Sequence, residues 1–213
     1  MRPLTDTQPK ALVAVGGKPL IAWHLEKLAA AGFAEIVINH AYRGAQIEAA
    51  LGNGARFGVT IAYSPESEAL ETAGGIARAR RLLGDAPFAV VNADVFSDFD
   101  YRQLAHAVSC LAPENLLAHL VLVANPDHHS AGDFALHGRQ VALDGSRLTF
   151  SGLAAYQPAL FDAIVPGAKA KLAPLLREQI AARRVSGEWY TGRWRDVGTP
   201  ARLESLEREL AAR

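Results

Sequence analysis

A chain of 213 residues, half of them hydrophobic, is long enough for one large domain with a substantial core. Lysine plus arginine and aspartate plus glutamate both number 22, so no overall field recruits nucleic acid, although a local basic site remains open. The single cysteine, Cys110, excludes an intrachain disulfide and a cysteine-based zinc site; no apolar run approaches the ~20 residues of a membrane span and no basic-then-apolar leader opens the chain, which points to a cytoplasmic protein without a membrane partner.

The chain opens MRPLTDTQPK, a polar turn between Arg2 and Lys10 held by Pro3 and Pro9. From Lys18 to Ala31, Leu20, Ile21, Leu25 and Leu28 fall at helical spacing, and Gly32 is placed to end the helix. The β-branched run 35–39 predicts a buried strand. A short helix from Gln46 to Leu51 closes at Gly52, and 59–64 predicts the next strand. A helix from Gly74 to Leu83, a third buried strand at 88–92 and a helix from Tyr101 to Leu111 follow. Strands at 119–125, 133–137, 140–143 and 147–156 have short turns between them; helices from Lys171 to Arg184 and Thr199 to Leu210 complete the pattern. Alternating helices and near-continuous apolar strands indicate an α/β fold, with a mostly parallel sheet covered on both faces. The later strands extend it with mixed or antiparallel partners. No repeat, low-complexity tract or linker interrupts the chain, so residues 1–213 read as a single domain.

Ligands in open α/β sheets sit beyond the carboxyl ends of the strands. Asp94 follows the strand 88–92, and Gly74 and Gly75 follow the strand 59–64 at a helix start. Without side chains, those glycines let a flat base approach main-chain N–H and C=O groups. Asp196 stands before the Thr199-Pro200 helix start. Two carboxylates at the ends of different strands can converge on one Mg²⁺, whose shell substrate phosphates complete. Lys10 supplies a compact positive charge for a phosphoryl oxygen. Each residue also has an ordinary role: aspartates cap helices, Gly-Gly opens turns, and a lone lysine is solvated. Together, in this order, they are far more specific. The pair His128-His129 mimics a metal site, but adjacent side chains point apart and no HExxH spacing exists, so a solvated turn is expected.

The segments MRPLTDTQPK, GGKPLI, LETAGG, NADV and WRDVGTP resemble those of the sugar-1-phosphate nucleotidyltransferases, and the likeness runs through essentially the whole chain. Within that family, INHAYRGAQIEAAL, YSPESEALETAGGI, VANPDHHSAGDFAL and LTFSGLAAYQPALF resemble the N-acetylmuramate α-1-phosphate uridylyltransferases of peptidoglycan recycling. The resemblance implies a Rossmann-like fold of nucleotidyltransferase type, with UTP and a sugar 1-phosphate as substrates and no identifiable protein partner. Lys10 would bind the α-phosphate region, Thr72, Gly74 and Gly75 the uracil, and Asp94 and Asp196 the Mg²⁺. Gly132 and Gly152 would admit the sugar, with Asp133 and Trp194 as weaker candidates beside it.

The nucleophile of such a reaction is a phosphate oxygen, already anionic, so no Ser-His-Asp relay is required. Ala93 replaces the family's usual glycine, and AGG at 73–75 stands for a commoner GGG. Relatives carry a strand and a Gly-rich loop ending in arginine ahead of the segment that here starts at Met1. The loop's backbone amides cradle triphosphate. The resemblance therefore implies a form short of both, either because the reading frame begins upstream or because the copy is defective. Arg2, beside that place, is a candidate to assist pyrophosphate departure. Two alternatives stay open: a mannose-1-phosphate guanylyltransferase, which would share the Lys10, Asp94 and Asp196 frame, and an inactive relative serving as a regulatory or binding subunit.

Overall fold

The computed structural model describes Met1 and residues 3–211, so the expectation for Arg2 lies outside the described residues. In chain order the elements are α1 (Leu4–Thr7), β1 (Ala14–Val15), β2 (Lys18–Pro19), α2 (Leu20–Ala30), β3 (Glu35–His40), α3 (Gly44–Leu51), β4 (Thr60–Pro65), α4 (Glu71–Leu83), β5 (Phe88–Val91) and β6 (Val95–Ser97). There follow α5 (Tyr101–Cys110), β7 (Ala118–Val123), β8 (Phe134–His137), β9 (Gln140–Ala142), β10 (Arg147–Tyr156), α6 (Leu172–Ala181), β11 (Val185–Tyr190), β12 (Trp194–Asp196) and α7 (Pro200–Ala211).

Two compact units share this chain. One is assembled from Met1–Glu68, Asn92–Tyr101 and the segment from Gly192 onward; the other from Ala69–Val91 and Arg102–Thr191. In the first unit β3 and β4 pair in parallel, Ile36 opposite Ile61. Ile21 and Leu25 of α2, and Ile47 and Leu51 of α3, repeat at four-residue spacing and so share one face of each helix. They bury against Ile38, Val59 and Ile61. A second cluster joins Val15, Leu20, Phe96, Val197 and Leu206, tying α7 to the antiparallel ribbon of β6 and β12.

The second unit is built on a six-stranded sheet in the order β5-β10-β7-β11-β9-β8. Strand β7 is buried along its whole length, and α6 lays Leu172, Leu176 and Ile180 into the core that β7 and α4 share. Full burial of one such side chain contributes roughly 1.5–3 kcal/mol.

The fold is α/β with a mixed sheet. Antiparallel pairing has a larger share than the apolar strands suggested. The ten-residue β10 is long enough to run antiparallel to β5, β7 and β8, while β7–β11 is the parallel pair. Strand β11, VSGEWY, lies inside this sheet but was not foreseen, because glycine, serine and glutamate break its apolar pattern. Helix α4 begins at Glu71, three residues before its expected start, which puts Gly74 and Gly75 inside its first turns.

Candidate active site

In the first unit the chain turns through Asn92–Asp94 before β6, with the Val95 N–H donating to the Asn92 carbonyl at 3.4 Å. Strand β12 runs antiparallel to β6 with Asp196 opposite Val95, and the Val197 N–H donates to the Asp94 carbonyl at 3.0 Å. This ladder sets Asp94 and Asp196 side by side although 102 positions separate them in sequence. Lys10 follows the extended Pro9 and opens a single helical turn; its Nζ donates to Asp94 Oδ2 at 2.6 Å. Lys10, Asp94 and Asp196 are thus brought into one unit, and Lys10 and Asp94 into direct contact.

Asp196 has a partner that sequence reasoning missed. Arg202 Nη1 donates to Asp196 Oδ2 at 2.7 Å. The Arg202 Nε and backbone N–H both donate to Thr199 Oγ1, at 3.2 and 3.3 Å. Thr199, not Asp196, therefore provides the oxygen that caps the start of α7. The spacing WRDVGTPAR carried this signal, but an arginine in the first turn of an amphipathic helix looks like any other.

Behind the Asp94 turn, α2 clamps the main chain of residues 95–99. His24 Nε2 lies 2.8 Å from the Val95 carbonyl, which makes it the protonated nitrogen, so Nδ1 accepts from the Tyr101 hydroxyl at 2.6 Å. Burial pushes the His24 imidazole down from its ordinary 6.5 to about 4; the Val95 carbonyl opposes this, Lys27 adds to it and Asp94 opposes it. The imidazole is neutral near pH 7. Lys27 Nζ donates to the Ser97 and Phe99 carbonyls at 2.5 and 3.0 Å, and burial lowers its pKa as well. Neither residue belongs to a motif, so neither was foreseen.

Among the described residues, no cluster of three or more His, Cys, Asp or Glu side chains forms a ready-made metal cage. Two carboxylates supply the hard oxygens that Mg²⁺ prefers, and Mg²⁺ normally keeps places for water and phosphate. The donor set fits such an ion, with Lys10 and Arg202 already holding one oxygen of each carboxylate.

Trp194 apart, the base-side and sugar-side candidates lie in the second unit. Thr72 is exposed, whereas Gly74 and Gly75 are buried. The Ala73 and Gly74 N–H groups both donate to the Ala170 carbonyl at 3.1 Å, and the Ala170 N–H returns a bond to the Leu70 carbonyl at 3.0 Å. A Cβ on Gly74 would collide with the Ala168 carbonyl oxygen. Gly74 thus admits residues 168–170, and its N–H is engaged by the protein itself.

Gly132 turns at φ 61°, and a Cβ there would lie 2.7 Å from Asn125 Oδ1 and 2.9 Å from Arg147 Cβ. Asp133 Oδ2 accepts from the Phe150 N–H at 2.8 Å, and its Oδ1 faces His129 Nε2 at 3.1 Å. Gly152, at φ 80°, sits where the β10–β7 register shifts between Phe150 and Ala154. These contacts give each sugar-side residue a place in the fold. Trp194 is half-buried on β12, in the first unit. Of the histidines, His119 is buried between Ser186 Oγ and Glu188 Oε1, at 2.9 and 3.1 Å. His128 and His129 form a short turn.

A nucleotidyl transferase family model matches residues 1–132. The chain is 55% identical to the N-acetylmuramate alpha-1-phosphate uridylyltransferase of Neisseria meningitidis serogroup B, over 97% of this chain and 91% of that one. It is 32% identical to the mannose-1-phosphate guanyltransferase of Aspergillus fumigatus, over 94% of this chain but 58% of that protein's length. Among solved structures, a UDP-glucose pyrophosphorylase complexed with UDP-glucose superposes with a TM-score of 0.78 at 18% identity, over 100% of this chain and 94% of that one; such a likeness speaks for the fold alone.

Proposed function

The chain belongs to the nucleotidyl transferase family, and from that premise we propose that it transfers a uridylyl group from UTP to N-acetylmuramic acid 1-phosphate, releasing pyrophosphate. The observation that carries this reading is the 55% identity to the uridylyltransferase over nearly the full length of both chains. A mannose-1-phosphate guanyltransferase function has the weaker support of 32% identity. The nucleotide-linked muramic acid product would serve cytoplasmic peptidoglycan recycling. Among the described residues, no helix is long and apolar enough to cross a membrane.

In the proposed reaction an oxygen of the sugar 1-phosphate attacks the α-phosphorus of UTP. The new P–O bond forms as the bond to the β-phosphate oxygen breaks, and the electron pair leaves with pyrophosphate. No proton has to be removed from the nucleophile, so the protein's work is alignment and neutralisation of charge. The Lys10 ammonium carries three N–H donors, one directed at Asp94, and would turn its charge to the α-phosphate. Asp94 and Asp196 would hold a Mg²⁺ ion, which when bound supplies charge neutralisation and a template for the phosphates. His24 and Lys27 keep the Asp94 turn in place through the main chain of β6. Thr72, Gly74 and Gly75 remain the proposed uracil contacts, Gly74 through groups other than the N–H that Ala170 takes, and Gly132, Asp133 and Gly152 the proposed sugar side.

The test follows pyrophosphate release with N-acetylmuramic acid 1-phosphate, N-acetylglucosamine 1-phosphate and mannose 1-phosphate, each with UTP and with GTP. The muramate acceptor with UTP is expected to be fastest. Faster release with GTP and mannose 1-phosphate would promote the guanyltransferase reading. No release with any pair would leave an inactive relative.

A further inference from the structure

We propose that Arg202 is a positioning residue that keeps the two-carboxylate site charge-balanced, so that the site takes up a divalent cation together with a nucleotide and resists taking it alone. The inference rests on the reading that Asp94 and Asp196 hold the metal. In the structure each carboxylate gives its Oδ2 to a different cation, Asp94 to Lys10 at 2.6 Å and Asp196 to Arg202 at 2.7 Å. Each of the two carboxylates is thus matched by a cation in direct contact. An approaching dication is attracted by the carboxylates and repelled by the cations beside them. A nucleoside triphosphate adds several negative charges and offers Lys10 and Arg202 oxygens of its own, which tips the balance toward the metal.

The arrangement around Arg202 is built for holding rather than incidental. Its planar guanidinium reaches Asp196 through Nη1 and Thr199 through Nε at once, which keeps its charge beside the carboxylate. The Thr199 hydroxyl also caps the Arg202 backbone N–H, which fixes the side chain's origin. Gly198 lies under the pair: a Cβ there would stand 2.6 Å from Arg202 Nη2 and 2.9 Å from Asp196 Oδ1. Asp196, Gly198, Thr199 and Arg202 therefore act as one unit within seven consecutive residues.

Mn²⁺ serves as the probe, titrated by electron paramagnetic resonance into the full chain without nucleotide. Arg202→Gln and Arg202→Met remove the counter-charge and are expected to bind Mn²⁺ about fivefold tighter than wild type. Arg202→Lys keeps the charge and should stay within about twofold of wild type. Adding Asp196→Asn to Arg202→Gln should cancel the gain. A merely structural arginine predicts the opposite sign, because losing it would loosen Asp196. The proposal is overturned if the charge-removing variants, with melting curves showing them folded, bind no tighter than wild type, or if Arg202→Lys binds as they do. Methionine retains the volume and is read should the glutamine variant melt early. Asp94→Asn and Asp196→Asn titrated in the presence of UTP separate the two levels of failure. If neither weakens Mn²⁺ binding, the two-carboxylate reading falls. If both weaken it while Arg202→Gln gains nothing, only the role of Arg202 falls.

Discussion

Asp94 and Asp196 each pair with a basic side chain in the structure, so replacing either by asparagine removes a negative charge and breaks that ion pair. Each variant is expected to lower Mg²⁺-dependent turnover roughly 100-fold or more, since charge stabilisation worth several kcal/mol is lost. The melting temperature should move little, because part-exposed ion pairs contribute at most about 1 kcal/mol. Two variants that turn over like wild type at limiting Mg²⁺ would end the two-carboxylate assignment. His24 makes a second residue-scale prediction. Its folded pKa, about 4, lies below its unfolded 6.5. The unfolded chain therefore binds the proton first as pH falls. The stability this group contributes is present above pH 6.5 and is lost progressively down to about 4, up to roughly 3 kcal/mol. Urea unfolding of wild type and His24→Gln across that window should give a difference that shrinks toward low pH. A difference that does not change with pH would show that the imidazole is not held neutral. The aspartates and Lys10 were legible as candidates in the sequence because their residue types match a stated chemistry. His24 and Arg202 were not, because a polar residue on a helix carries no sign of what it will face.

At the scale of elements, the seam between α4 and residues 168–170 decides what Gly74 does. Gly74→Ala would force the Ala168 carbonyl away and is expected to destabilise by roughly 1–3 kcal/mol, as overpacking does. Denaturant titration should show that loss even without nucleotide. A variant of full stability with only weaker UTP binding would show that Gly74 serves the base pocket and not the seam. The core of the second unit offers the opposite change. Tyr156 is fully buried among Phe88 and Phe161, burial raises its pKa, and its hydroxyl has no hydrogen-bond partner among the described residues. Tyr156→Phe removes an unsatisfied polar atom at constant shape and should stabilise by about 1 kcal/mol. A clear drop in melting temperature would mean that the hydroxyl is satisfied in solution. Periodicity located α2, α6 and β7 because their apolar spacing is regular. It missed β6, β11 and β12 because short or polar strands have no pattern apart from their neighbours.

For the whole molecule, base choice is the measurable consequence. A pocket whose groups match uracil leaves them unbonded against a purine, which is also larger, and each unbonded buried group costs ~1–3 kcal/mol. UTP should be preferred over GTP by at least roughly tenfold, ~1.4 kcal/mol, in kcat/KM for the same sugar phosphate; equal use would remove the uracil assignment. The sequence by itself determined the α/β class and the family, and it put forward Lys10, Asp94 and Asp196 as candidates, because apolar periodicity and phosphate chemistry are written in residue types and order. Only the tertiary structure decided that the chain divides into two units built from discontinuous segments. It also decided that Asp196 pairs with Arg202 and that the Gly74 N–H is spent on Ala170. Those facts depend on which distant segments meet, and hydrogen bonds and ion pairs across such meetings leave no local trace in the order of residues.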